Sequence, residues 1–297
     1  MTLIVGYADK DICFLVGDTL LSYPIEKYNP RDPFLEKYHA LKIQILTPDV
    51  AIAFAGDVAT SLSIIKQLHE ELIVDQQLNV PQRLVELHNG LAKQHGSLQQ
   101  NCEFLVLLIT SEKTKKLAHV TEAHFEYVQR AYIGDSAEYV NFRNLMESYS
   151  GPKIHHIQNL DGSWSNSSSF VTDGEKEFGQ VSDAMETLTH QRRSETVGAI
   201  CGCVTRVVDA RISGKLEYMQ CVEASVSPAE GHGGFSLLAS NVGLIRGIGL
   251  YYRGWQAGLI FVAGDMIPCR KMVAATIGEF IEIARIQYGL NLEGGTW

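Results

Sequence analysis

Four residues near the start of the chain have the types and spacing for amide-bond chemistry. Thr2 stands directly behind Met1. Removal of Met1 leaves one residue with both a hydroxyl nucleophile and a free amine, and threonine is small enough for ordinary methionine removal. An α-amine with an unperturbed pKa of about 8 can take the proton from its own Oγ, directly or through one water, as Oγ attacks a carbonyl. The amine has to be neutral, so a nearby positive charge helps by lowering its pKa. Lys42 is the candidate for that charge. In ALKIQIL, alternation sets Leu41, Ile43 and Ile45 on one face and Lys42 with Gln44 on the other. Asp18, at the end of the second strand-like run, is placed to hold a buried ammonium and offset its desolvation. Gly56, in AFAGD, offers an amide at the start of a helix as the oxyanion donor. Two plain alternatives stand beside this: a second-position threonine without a role, and a lysine turned to solvent from an edge strand.

Other chemistry-bearing residues have weaker claims. His88 lies on the apolar stripe of a helix, the usual setting of a core histidine. His155-His156 are adjacent, so an extended chain points them to different sides, and no carboxylate or cysteine cluster accompanies them. Cys13, Cys102, Cys201, Cys203 and Cys221 sit in apolar, strand-like stretches. Cys201-Gly202-Cys203 puts two thiols on one strand face, without the second ligand pair of a zinc site. We read reduced core cysteines, and expect neither metal nor cofactor.

Composition narrows the class. The 297 residues, 45% hydrophobic and 20% charged, suit a soluble globular protein with a sizeable core. A net charge of -9 argues against nucleic acid or an anionic membrane as partner. No apolar run approaches the roughly 20 residues that cross a bilayer, and TLIVGYA runs into Asp9-Lys10-Asp11 without the features of a signal peptide. The expected location is cytoplasmic.

The elements that must position the four residues follow from periodicity. TLIVGYA and ICFLVGD read as a hairpin, residues 19–38 as a long proline-bearing loop, and ALKIQIL with VAIAFAG as a second strand pair turning at Thr47-Pro48-Asp49. Helices are predicted over Asp57–Leu72, Pro81–His95, the segment after Gly134-Asp135-Ser136, Glu175–His190 and Arg270–Tyr288. CEFLVLLIT, KLAHVT, EYVQRAYIG, TVGAICGCVTRVV, LEYMQCVEASV and LYYRGWQAGLIFVAG read as strands, and residues 151–174 as a polar loop. This order suits two sheets packed face to face with helices outside.

The motif order is similar to that of the proteasome β-subunits and the HslV peptidase. T-L-I-V at the start, G-D sixteen residues after Thr2 (Asp18), K-I-x-x-L and A-F-A-G-D before a helix carry the resemblance. It implies an N-terminal-nucleophile (Ntn) hydrolase of the α+β class with a four-layer αββα sandwich. Residues 1–226 would form that domain, and 227–297 a C-terminal extension of strands and a helix packed on it. It implies Thr2 as nucleophile, Asp18 and Lys42 as the charge pair and Gly56 as oxyanion donor, with Asp135, Ser136 and Thr196 in support. Two departures stand out. The family usually has serine where Asp135 stands, and Arg193 occupies the place of an aspartate.

Three functions stay open at this point. One is a threonine-type hydrolase that cleaves peptides or unfolded polypeptide. Another is an inactive proteasome-like assembly subunit, and the third a small-molecule amidase. The resemblance also implies a homo-oligomeric ring or an open assembly, with no unfoldase partner identified.

Overall fold

In a computed structural model, residues 2–21, 38–95, 102–148, 155–158, 164–167, 172–190, 205–210, 214–223, 235–267 and 269–293 are described. They form three five-stranded antiparallel sheets, two short two-stranded ribbons and five α-helices.

The first sheet is ordered Arg130–Gly134, Leu3–Ala8, Cys13–Gly17, Thr205–Ala210, Lys215–Tyr218. The second is a meander of Ile43–Thr47, Val50–Gly56, Cys102–Ile109, Lys115–Val120 and Phe125–Val128, and the third a meander of Cys221–Glu223, Phe235–Ser240, Gly247–Tyr252, Ala257–Val262 and Arg270–Val273. The helices are α1 (Val58–Val74), α2 (Val80–His95), α3 (Ser136–Glu147), α4 (Asp173–His190) and α5 (Ile277–Tyr288).

Strand alternation explains the packing. Side chains on successive strand residues leave opposite faces, and in all three sheets both sets are apolar. Ile4 and Leu15 of the first sheet, Ile43 and Ala53 of the second, and Leu237 and Leu250 of the third share one interior cluster. The alternate residues face outward under helices. Leu3, Val5 and Phe14 meet Phe142 of α3 and Val181 and Met185 of α4. Ile52, Phe54 and Val106 meet α1 and α2. Leu238, Tyr251 and Ile260 meet Phe280 and Ala284 of α5.

The four-layer αββα sandwich is therefore corrected. A third sheet with two apolar faces has to be covered on both, and it is, by the common interior on one side and α5 on the other. Two-sheet layering does not describe this arrangement.

Smaller expectations are corrected too. EYVQRAYIG is two strands in different sheets: Phe125–Val128 closes the second sheet and Arg130–Gly134 joins the first, while the Gln129 carbonyl accepts from Ala8 N at 2.9 Å. LEYMQCVEASV likewise passes from the first sheet, at Tyr218, to the third, at Cys221. LYYRGWQAGLIFVAG turns back at Arg253–Trp255 to pair with itself. Arg270–Val273 is a strand, and the last helix starts at Ile277 behind the Thr276 cap, whose hydroxyl accepts from Glu279 N. The presumed loop 151–174 contains a ribbon, His155–Gln158 with Trp164–Ser167. Of loop 19–38, Leu20–Leu21 pairs with Tyr38–His39 and residues 22–37 lie outside the described residues. No helix among the described residues is long and apolar enough to cross a membrane.

Candidate active site

Antiparallel pairing carries Thr2 and Asp18 to one level. Leu3–Ala8 runs beside Cys13–Gly17 with Ile4 opposite Gly17, so the residues flanking this pair, Leu3 and Asp18, face each other next. Asp18 N donates to Leu3 O at 3.3 Å, and Leu3 N donates to Asp18 Oδ1 at 3.1 Å. The carboxylate is thus fixed by the backbone one residue from Thr2, and the Thr2 hydroxyl donates to the same Oδ1.

Lys42 arrives from the second sheet. It precedes Ile43–Thr47, the edge strand of that sheet, and its carbonyl accepts from Phe54 N at 3.1 Å. Its side chain crosses to the first sheet, where Nζ lies 2.9 Å from Asp18 Oδ1 and 3.0 Å from Oδ2 and donates to Thr2 Oγ1. All three residues are buried: Thr2 is 3% exposed, Asp18 0% and Lys42 2%. Burial pulls the Lys42 pKa below its ordinary value, against the pull of the Asp18 carboxylate in the other direction. The solvent-facing alternative for Lys42 is excluded by this burial.

Gly134 and Asp135 fix Thr2 from the other side. Leu3 is opposite Gly134 in the first sheet, and Asp135 N donates to Thr2 O at 2.6 Å. The Asp135 carboxylate caps α3, accepting from Ala137 N at 3.0 Å and Glu138 N at 3.2 Å. These two side-chain bonds serve the helix, while the Asp135 main chain serves Thr2. Ser136 opens α3 and is exposed.

Gly56 ends Val50–Gly56 and is exposed, with φ +102°. Asp57 behind it caps α1, its carboxylate accepting from Thr60 N at 2.8 Å. The start of α1 is held further by Cys102, opposite Gly56 in the sheet. Cys102 Sγ lies 3.6 Å from Asp57 O and accepts from Ser61 Oγ at 3.4 Å. The strand that ends at Gly56 is the one whose Phe54 holds Lys42.

Thr2, Asp18 and Lys42 therefore meet, with Gly134 and Asp135 against the Thr2 carbonyl. Thr196 and Arg193 lie outside the described residues, as do Cys201 and Cys203. His88 is buried on α2, and Cys13 and Cys102 are free and buried. Among the described residues no cluster of three or more His, Cys, Asp or Glu could hold a metal ion. The pinning role of Gly134 and the holding of Lys42's strand were missed in sequence. The one available signal was a Gly-Asp pair at a strand-to-helix junction.

No protein-family model matches the chain, and no curated protein matches it. Among solved structures the chain is similar to Anbu (ancestral beta-subunit) from Yersinia bercovieri, at 14% identity and a TM-score of 0.51, over 70% of this chain and 81% of that one. The likeness is one of fold alone. Chemistry has to be argued from the site itself.

Proposed function

We propose that this chain is a threonine-type N-terminal-nucleophile hydrolase that cleaves peptide amide bonds, with Thr2 as nucleophile after removal of Met1. The observation that carries the reading is the Lys42 ammonium donating to Thr2 Oγ1 while paired with a fully buried Asp18. A buried ion pair is a costly way to fill space, since apolar side chains of similar volume usually serve stability as well or better. Its position on a hydroxyl beside the would-be N-terminus gives it a chemical use.

In this reading the freed α-amine takes the Oγ proton as Oγ attacks the substrate carbonyl. The ammonium of Lys42 keeps the amine neutral by lowering its pKa, and helps stabilise negative charge developing on Oγ. The Gly56 amide donates to the carbonyl oxygen as it becomes an oxyanion. The protonated amine then gives its proton to the leaving amine, and the C–N bond breaks. Water, deprotonated by the same amine, hydrolyses the Thr2 ester and restores the hydroxyl. No cofactor enters any step.

A panel of peptide-aminocoumarin and acyl-amide substrates, run beside Thr2→Ala, tests the proposal. Peptide turnover lost in Thr2→Ala supports it. Turnover of acyl amides alone would assign a small-molecule amidase, and no turnover in a protein that keeps Met1 an assembly subunit. Association of several copies, as a ring or an open array, belongs to the same proposal and is read by sedimentation.

A further inference from the structure

Among the described residues the edge strand Ile43–Thr47, which follows Lys42, has no strand partner on its outer side, and two side chains bond there instead. Ile43 and Ile45 turn their backbone groups outward, away from Val50–Gly56. The Tyr218 hydroxyl fills the gap between them, accepting from Ile45 N at 2.8 Å and donating to Ile43 O at 3.3 Å. Tyr218 is itself clamped by a side-chain amide: its N–H donates to Asn241 Oδ1 at 2.7 Å, and its carbonyl accepts from Asn241 Nδ2 at 3.0 Å. Asn241 follows the Phe235–Ser240 strand of the third sheet.

Gln44 makes the second attachment. Its Nε2 donates to Leu41 O at 3.1 Å, and its Oε1 accepts from Gly264 N at 2.7 Å. Gly264 belongs to the turn between the last two strands of the third sheet. At φ +74° it tolerates side chains poorly, and a Cβ there would collide with His69 Nδ1 of α1. The turn is therefore pressed against α1 and makes a firm anchor. Leu41 and Gln44 are both 2% exposed, so water does not readily replace the bond between them.

We propose that Gln44 is a positioning residue for the Lys42 ammonium, and that the third sheet, through Gly264 and through Asn241 on Tyr218, braces the strand that delivers it. The peptides on both sides of Lys42 are tied down: Leu41 O by Gln44, and Lys42 O by Phe54 N. With both peptides fixed, the Cα–Cβ direction of Lys42 is set, and the four-carbon stem has a defined starting point from which to reach Asp18 in the other sheet. Releasing Leu41 O leaves a buried carbonyl unpaired, which the local backbone relieves by rotating. That rotation moves the ammonium relative to Asp18 and Thr2. Misplacement of a reacting group by about 1 Å can cost up to about a hundredfold in rate.

The role assigned to Gln44 rests on the hydrolase reading for its catalytic consequence, but its structural content is separable. The test uses full-length protein with 13C,15N-lysine, the Lys42 signal assigned by its loss in Lys42→Arg, together with Gln44→Met and Tyr218→Phe. Both variants keep volume and remove the bonds. The expected result is a shifted Lys42 signal and a shifted Lys42 titration in each variant, with kcat lowered about tenfold to a hundredfold at unchanged KM. If Gln44→Met does not fold, Tyr218→Phe carries the comparison. An unmoved Lys42 signal and pH profile in folded variants, with only a lowered Tm, overturns the proposal and leaves Gln44 a structural residue. If wild type has no turnover, the hydrolase reading fails, and the Lys42 signal still decides the positioning role.

Discussion

Gly134 and Thr2 are packed so closely that a Cβ on the glycine would overlap the Thr2 carbonyl oxygen. Gly134 also has φ +106°, outside the range that L side chains favour. Both facts serve one contact, the Asp135 N–H donating to Thr2 O. Gly134→Ala is predicted to cost about 1–3 kcal/mol from backbone strain alone, read from denaturant unfolding, and to slow hydrolysis by shifting Thr2. A variant with wild-type stability and rate would show that the close approach is unimportant.

The Lys42–Asp18 pair predicts strong non-additivity. Removing one member strands a buried charge, so Asp18→Asn and Lys42→Met should each destabilise by about 3–5 kcal/mol. The double variant strands none, and should cost clearly less than the two singles together. A double-mutant cycle on unfolding free energies measures the coupling. Simple additivity would place the two groups in effective contact with solvent.

Lys42 also predicts a pH dependence of stability. Its pKa in the folded protein is lowered from 10.5 by burial. Between that lowered value and 10.5 the unfolded chain binds more protons than the folded one, so this group's contribution to stability rises with pH. Cys13 acts in the opposite sense. Burial raises its thiol from 9.0 to about 12, so its contribution is present below pH 9 and is lost as pH climbs through that interval. Wild type and Lys42→Arg share Cys13, and arginine does not titrate there. The difference between their stability curves therefore isolates Lys42: wild type gains on the variant as pH approaches 10.5. Parallel curves would contradict the lowered pKa.

How much of this was legible in sequence follows the range of the interactions involved. The hairpin Leu3–Ala8 with Cys13–Gly17, and the turn that brings Ile43–Thr47 back onto Val50–Gly56, depend on neighbours in the chain and are visible as apolar runs broken by turn residues. The meeting of Thr2 with Asp18 follows from that hairpin. Sheet membership is not visible in this way. EYVQRAYIG is a single β-like run whose two halves belong to different sheets, because the switch at Gln129 is set by what each half packs against. The helix expected over Arg270–Tyr288 begins only at Ile277, because Arg270–Val273 pairs with Ala257–Val262 and that tertiary pairing sets its conformation. The third sheet's share in the common interior is equally a long-range matter, and so is the bond from Gln44 to Gly264, 220 residues away.

The start of α1 gives a test of the oxyanion donor. Asp57→Ala removes the cap on Thr60 N and should cost about 1 kcal/mol of stability. Since Gly56 immediately precedes that cap, the proposed function predicts a larger effect on kcat than on KM for the same variant. Steady-state kinetics separate the two, and an unchanged kcat would remove Gly56 from the mechanism.

The central claim is that Thr2 works with its own free amine. Intact-mass measurement of purified protein, before and after incubation with a peptide epoxyketone, tests this most directly. A working Thr2 nucleophile gives a chain that begins at Thr2 and gains one inhibitor mass, with no gain in Thr2→Ala. A mature protein that retains Met1 and takes up no inhibitor contradicts the claim.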